Sequence, residues 1–225
     1  MYTLAKLKPL SALFLLMVMA CFKISKAFAQ QEKPTMGKLD TFYMAKWNQP
    51  QYSKANTCAD VPYLTDTEKK VVYYLNLARL NPGLFAATYA SSYKGSVNYS
   101  EADGFAENEK SLIADLNKLQ PLPIFLPNKN LYDLALCHAS SIGKSGLETH
   151  DRKASGCPDG YMAECISFGD LNALDIVMQL LNDAGVESLG HRKICLSSEY
   201  SNIGCSNQLH KVWGKCTVLD FAPNP

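Results

Sequence analysis

The sequence SNIGCSNQLHKVWGKCTVLDF, residues 201–221, holds two of the three strands that this chain predicts. Ser201–Ser206 and Lys211–Phe221 are short runs rich in β-branched and apolar residues, and Met162–Phe168 is a third. The segments that precede and separate these strands have helical periodicity. Helices grouped early and strands grouped late predict an α+β fold, in which helices pack on a small antiparallel sheet.

The helices are predicted from caps and apolar spacing. Thr65-Asp66-Thr67-Glu68 has the form of a capping box, in which a threonine hydroxyl and a glutamate satisfy each other's backbone amides. Asn81-Pro82 has the form of a second helix start. Apolar spacing predicts three further helices: one through Leu112, Leu116 and Leu119, one over about 130–146 and one over about 172–182.

Residues 1–29 are predicted to be a signal peptide. Lys6 and Lys8 precede a 13-residue apolar run from Leu10 to Phe22, and a small-x-small cleavage site ends at Ala29. Thirteen apolar residues are too few to span a bilayer, and no later segment approaches that length. Acylation of Cys21 is the less favoured alternative. The protein is therefore expected to be exported, either secreted or periplasmic.

Residues 30–62 are polar, contain three prolines and show no sustained period, so they are predicted to form an N-terminal arm. Residues 63–225 are predicted to form the domain proper. The whole chain has a formal net charge of +1, and residues 1–29 hold four lysines and no acid, so the remainder carries −3. A chain without a basic surplus is a poor partner for a phosphate backbone, which argues against nucleic-acid binding.

Seven cysteines remain after the predicted leader, and an oxidising compartment favours disulfides among them. An odd number leaves at least one thiol free, and Cys137, within an apolar helical stretch, is the expected free one. A hairpin turning at His210-Lys211 would bring Cys205 and Cys216 together, although that turn lacks Asn-Gly chemistry. The disulfide candidates are Cys58, Cys157, Cys165, Cys195, Cys205 and Cys216.

Three polar residues stand out as candidates for chemistry. His150 and His191 each lie in a polar, glycine-containing context, whereas His138 falls on the apolar face of its helix and His210 at an expected solvent-facing turn. Glu164 shares a strand face with apolar residues, an unusual place for a carboxylate unless it lines a cleft. Imidazoles with carboxylates suit zinc or another divalent ion, and they also suit general acid–base catalysis. The alternative is scattered surface histidines.

A series of short motifs follows in chain order: Leu131-x-x-Leu134-Ala135-x-x-His138-Ala139, Gly146-x-x-x-His150, Ala163-Glu164-Cys165-Ile166, Gly190-His191-Arg192-Lys193-Ile194, Tyr200-Ser201-Asn202-Ile203-Gly204 and Asp220-Phe221-Ala222. Over about residues 64–222 this series resembles the CAP superfamily, also called the SCP domain. That group includes cysteine-rich secretory proteins, venom antigens and plant pathogenesis-related proteins. The opening helix, with Asn76-Leu77-Ala78-Arg79, looks like the bacterial branch.

The resemblance implies an α-β-α sandwich with a surface cleft formed by two histidines and two acids. By position these are His150, Glu164, His191 and Asp183, with Glu187 as the alternative for the last acid. The family's glycine and asparagine around the strand glutamate are replaced here by Ala163 and Cys165. The resemblance also implies a metal held by His150 and His191, with Glu164 as a further ligand.

Three functions are compatible with these residues. The first is a non-enzymatic secreted module whose cleft binds a divalent metal and whose surface meets a lipid, glycan or protein. It is favoured because no residue stands out as an activated nucleophile. The second is a metal-dependent extracellular hydrolase that uses the same cleft. The third is an extracellular lipid or sterol binder, a role known in some branches of the family that the chain resembles.

Overall fold

The computed structural model describes residue 43 and residues 45–95, 104–169 and 171–223. The predicted signal peptide, with Cys21, lies outside the described residues. All the described residues belong to one unit, Tyr43–Pro225. Within these ranges no helix is both long and apolar enough to cross a membrane.

The five predicted helices occur in the expected order, together with two short helices that the sequence did not predict. Their bounds are α1 Asp66–Leu80, α2 Pro82–Phe85, α3 Phe105–Lys118, α4 Lys129–Ser145, α5 Arg152–Ser155, α6 Ala173–Asn182 and α7 Gly190–Cys195. A 3₁₀ segment, Pro50–Ala55, precedes them, and a π-helical turn, Ala86–Ala90, follows α2. The capping box at α1 is confirmed, because Thr65 and Glu68 hydrogen-bond to each other's backbone amides.

Four strands form one sheet in the order β1-β3-β4-β2, with bounds β1 Leu126–Pro127, β2 Ala163–Phe168, β3 Asn202–His210 and β4 Gly214–Ala222. β3 and β4 pair as an antiparallel hairpin, and β2 pairs antiparallel with β4. β1 pairs parallel with β3, so the expectation of a purely antiparallel sheet is wrong. The chain therefore has helices around a small mixed sheet, which is compatible with the α+β class.

Alternate strand residues contact different helices. On β2, Ile166 belongs to an apolar cluster with residues of α4, whereas the next residue, Ser167, hydrogen-bonds through its hydroxyl to Gln179 of α6. On β4, Cys216 lies against α4, with its thiol 3.5 Å from the carbonyl oxygen of Ala139. The sheet thus has α4 on one face, whereas α6 contacts β2 from the other.

α4 approaches β3 unusually closely because two glycines remove side chains from the contact. A Cβ at Gly204 would lie 2.1 Å from the backbone carbon of Leu131. A Cβ at Gly143 would lie 2.0 Å from the carbonyl oxygen of Leu209. No neighbour can tolerate such distances, so both positions need glycine. This contact fixes the height of α4, and of the loop that follows it, above the sheet.

Arg79, at the end of α1, joins two connecting segments from inside the protein: the one before β1 and the one between α7 and β3. Its guanidinium donates to the carbonyl oxygens of Pro123, Cys195, Ser197 and Tyr200 at 2.6–2.8 Å. It also lies 3.9 Å from the ring centroid of Phe125. Burial lowers the pKa of Arg79 to about 10, which leaves the side chain charged at neutral pH.

The predicted arm, residues 30–62, is described only from Tyr43 onward. Trp47 is buried and donates from its indole nitrogen to the Thr88 hydroxyl at 3.2 Å. Thr57 donates to the carbonyl oxygen of Phe125 at 2.9 Å. Tertiary contacts therefore order this segment without any apolar period in its sequence.

The cysteines pair differently from the sequence-based expectation. Cys137, expected to be free, forms a disulfide with Cys157, one of the candidates, because α4 faces the turn after α5. In β3 and β4, Cys205 lies opposite Leu219 and Cys216 opposite Gln208, so these two thiols do not face each other. The remaining candidates are corrected to free, buried thiols: Cys58, Cys165, Cys195, Cys205 and Cys216.

Candidate functional site

The first half of the candidate site is a histidine held by a buried carboxylate. His150 lies in the loop between α4 and α5, and its side chain is 57% exposed. Its Nδ1 lies 2.7 Å from Oε1 of Glu164, which is buried on β2. A carboxylate at Nδ1 fixes the tautomer, so the proton is on Nδ1 and the Nε2 lone pair is available.

Arg152 and Asp220 hold Glu164 from behind, and the sequence interpretation missed both. The Arg152 guanidinium is hydrogen-bonded to Oε2 of Glu164 and lies 2.6 Å from Oδ1 of Asp220. It also donates to the carbonyl oxygen of Leu134 on α4 at 2.8 Å. Glu164 and Asp220 are directly opposite each other in β2 and β4. Both oxygens of Glu164 are therefore occupied, one by His150 and one by Arg152.

Two buried carboxylates, Glu164 and Asp220, share one guanidinium in this cluster, and the pKa of Asp220 is shifted as a result. The pKa of Asp220 is raised to about 7: burial raises it most, the charge of Arg152 lowers it, and the charge of nearby Glu164 raises it. The second oxygen of Asp220, Oδ2, is buried without a hydrogen-bond partner among the described residues. A proton on that oxygen would relieve the repulsion between the two carboxylates.

His138 is a core histidine, as predicted, and it supports the His150 loop. It is fully buried on α4, and its ring nitrogens lie 2.8 Å from the Ser155 hydroxyl and 2.9 Å from the carbonyl oxygen of Thr149. Burial lowers the pKa of His138, although nearby Glu164 opposes that effect. The Cys137–Cys157 disulfide joins the same helix to the turn after α5, on the far side of that loop. His150 therefore sits on a loop that is fastened to α4 at several points.

The second half of the site is His191 with Asp183. Asp183 ends α6 in the left-handed conformation, with φ 57°. Its Oδ1 lies 2.7 Å from Nδ1 of His191, and its Oδ2 accepts from the backbone N–H of His191 at 2.9 Å. Asp183 thus stabilises the start of α7 and orients the imidazole at once. Glu187, the alternative acid, is exposed and is not the partner of this ring.

Arg192 fastens α7 to the helices beneath it. Its buried guanidinium donates to the carbonyl oxygens of Leu181, Asn182 and Asn108 at 2.7–3.0 Å. It also lies 3.0 Å from Asp115 of α3. The Gly-His-Arg motif therefore combines one ring at the site with one arginine that positions the helix carrying it.

The two histidine–acid pairs converge on each other. The ring centroids of His150 and His191 are 6.2 Å apart, with an angle of 33° between the planes. Each ring has its Nδ1 occupied by a carboxylate, so Nε2 is the coordinating atom that each one retains. The structure thus brings together His150, Glu164 and His191, which the sequence singled out, and Asp183, which the family resemblance implied with Glu187 as the alternative.

The ligands that this site offers a metal are the two imidazoles. Among the described residues, no group of three or more His, Cys, Asp and Glu side chains is arranged to hold an ion. Glu164, expected as a further ligand, has both oxygens engaged and lies behind His150. Two imidazoles that share tetrahedral zinc have centroids about 5 Å apart. The observed separation of 6.2 Å is about 1 Å longer than that.

His210, expected at a solvent-facing turn, is instead buried at the end of β3. Its Nδ1 accepts hydrogen bonds from the backbone amides of Val212 and Trp213, both at 3.2 Å, and its Nε2 lies 3.1 Å from the carbonyl oxygen of Leu147. These hydrogen bonds offset the cost of removing the ring from water. His210 is therefore a structural residue of the hairpin.

In comparisons with known proteins, the chain matches no family model, no curated protein and no solved structure.

Proposed function

We propose that this chain is an exported module with the α-β-α sandwich of the CAP superfamily, and that His150 and His191 bind a divalent metal, zinc in the first place. One observation carries the proposal: the ring centroids of two imidazoles lie 6.2 Å apart, and each ring is oriented by a carboxylate at Nδ1. Carboxylate–histidine–metal arrangements use this tautomer, because it directs the Nε2 lone pair at the ion. Water molecules would complete the coordination.

A binding role is favoured over hydrolysis because the carboxylates of the site are already engaged. Glu164 is held between His150 and Arg152, and Asp183 accepts from the ring and the backbone of His191. A metal-dependent hydrolase needs a base that can take a proton from metal-bound water. Neither acid has an oxygen free for that step, so we propose a non-enzymatic module that presents a metal to an extracellular lipid, glycan or protein.

Export is supported by the Cys137–Cys157 disulfide, since such bonds persist in oxidising compartments. It is also supported by the apolar leader of the sequence. The CAP assignment is supported by the same four residues that its motifs selected, because they meet at one place in the fold.

The proposal is tested by titrating the protein with zinc in a calorimeter, beside a His150→Ala/His191→Ala variant. We expect one zinc per chain at micromolar affinity or better, and no binding by the double variant. Glu148→Ala is the matched control, because Glu148 is exposed and lies two residues from His150. Retained zinc binding in the double variant would contradict the site.

A peptide and ester hydrolysis panel, run with zinc supplied, separates the binding module from the hydrolase. We expect no turnover above background from the wild-type protein. Turnover that disappears in the His191→Ala variant would show the module to be an enzyme and would overturn the non-enzymatic role.

A further inference from the structure

Large apolar side chains are exposed around the tip of the β3–β4 hairpin. Among the described residues, six large hydrophobic side chains are exposed, and four of them lie at this end of the fold. We call these four the hairpin tip: Leu147, Leu209, Val212 and Trp213, with exposed fractions of 42%, 78%, 61% and 47%. Such clustering is informative, because single exposed apolar residues are common and groups of them mark interaction surfaces.

The hairpin tip is held in place from beneath. β3 and β4 remain paired up to His210 opposite Gly214, and the ring of His210 binds both turn amides and the Leu147 carbonyl. A Cβ at Gly146 would lie 3.2 Å from Cγ2 of Val212, so the turn rests against the segment that carries Leu147. The four apolar side chains are therefore presented by a fixed backbone.

Three lysines lie in or beside the segments that form the hairpin tip. Lys211 lies in the turn, Lys215 lies directly opposite Leu209 in the strand register, and Lys144 is exposed at the end of α4. Residues 209–216 contain no acid, and Glu148 is the one acid among residues 144–148. Lysine is depleted in the cores of protein–protein interfaces. Lysine beside tryptophan and leucine is instead typical of surfaces that meet anionic lipid.

We propose that the hairpin tip attaches the protein to the surface of an anionic lipid membrane. Trp213, Leu209 and Val212 would enter the interface between headgroups and acyl chains, where an indole ring is favoured. Lys211 and Lys215 would contact the lipid phosphates. This attachment uses neither His150 nor His191, so it is independent of the proposed metal site, and it differs from carrying a single lipid as cargo.

The test measures binding to sedimented vesicles of phosphatidylcholine alone and of phosphatidylcholine mixed with phosphatidylglycerol. We expect binding to the anionic vesicles only. A lysine near an anionic surface contributes about fivefold in affinity, so the Lys211→Gln/Lys215→Gln variant should bind about 25-fold more weakly. All variants share the remainder of the chain, including the leader, so differences between them report on the hairpin tip.

Tryptophan fluorescence adds a direct readout of insertion. The chain has two tryptophans, and Trp47 is buried, so a blue shift on adding anionic vesicles reports Trp213. The Trp213→Phe variant should still bind but should show no shift.

Met162→Ser is the matched control, because Met162 is 68% exposed at the opposite end of the sheet. It should bind as the wild type does. Equal binding by the wild type and the lysine variant, or an equal loss in Met162→Ser, would overturn the proposal. A Leu209→Ser variant is expected to weaken vesicle binding and to leave the oligomeric state unchanged. If it instead abolishes a dimer that forms without vesicles, the surface is an interface between copies of the chain.

Discussion

Replacing Asp183 by asparagine exchanges one carboxylate oxygen for an amide group and should weaken His191 as a metal ligand. In the wild type, one oxygen of Asp183 accepts the Nδ1 proton of His191 and the other accepts its backbone N–H. Asparagine has a single oxygen, so its amide group must face one of these two positions. If the amide faces the ring, Nδ1 must accept and the proton moves to Nε2, where it blocks coordination.

The backbone contributes little to the difference. Asp183 has a φ of 57°, and both aspartate and asparagine tolerate this left-handed conformation. Loss of a partner that orients a ligand typically reduces metal affinity by about 10- to 100-fold. This factor corresponds to about 1.4–2.7 kcal/mol of binding free energy. We expect the zinc dissociation constant of Asp183→Asn, measured by calorimetry, to rise within that range.

Glu187→Gln is the control for this experiment, because it removes one negative charge from the same loop at an exposed position. It should leave zinc affinity unchanged, since Glu187 is not the partner of the His191 ring. Unchanged affinity in Asp183→Asn would refute the reasoning, as would an equal loss in both variants, which would point to net charge instead of ring orientation.

Three further predictions concern buried groups and the disulfide. Arg79→Ala removes four hydrogen bonds from a charged donor and should lower the free energy of unfolding in urea by about 4 kcal/mol or more; a loss below about 1 kcal/mol would contradict its role. The pKa of Asp220 is raised in the folded state from 3.8 to about 7, so its contribution to stability should fall as pH rises through that interval. In the Asp220→Asn variant, the urea midpoint should differ less between pH about 5 and pH about 8 than it does in the wild type. The same pH dependence in both proteins would contradict the raised pKa of Asp220. Cys137→Ser opens a disulfide with a sequence separation of 20 and should cost about 3 kcal/mol, whereas an unaltered melting temperature would mean that the bond does not form.

The helices could be predicted from the sequence because their signals are local. The capping box at Thr65 and the apolar faces of α4 and α6 need no knowledge of distant residues. Strand β1 could not be predicted in this way, since a two-residue strand has no period and exists because β3 lies beside it. The disulfide was missed for the same reason, because pairing depends on how α4 faces the turn after α5.

Some residues of the site could likewise be predicted from the sequence, and others required the structure. His150, His191 and Glu164 could be singled out, because each is a polar residue in an unusual setting or motif. The choice between Asp183 and Glu187 required the end of α6 to be placed in space. Arg152 was missed because a buried arginine has no sequence signature. Asp220 did have a sequence signature, because it shares an apolar strand face with Val218 and Cys216. The same argument selected Glu164.

The most direct test of the central claim is to locate zinc in crystals of the zinc-loaded protein by anomalous diffraction at the zinc absorption edge. We expect one peak between His150 and His191, about 2.0–2.1 Å from Nε2 of each ring. Glu164 should still contact Nδ1 of His150, and Asp183 should still contact Nδ1 of His191. A zinc peak at any other place, or one bound by only one of these rings, would contradict the central claim.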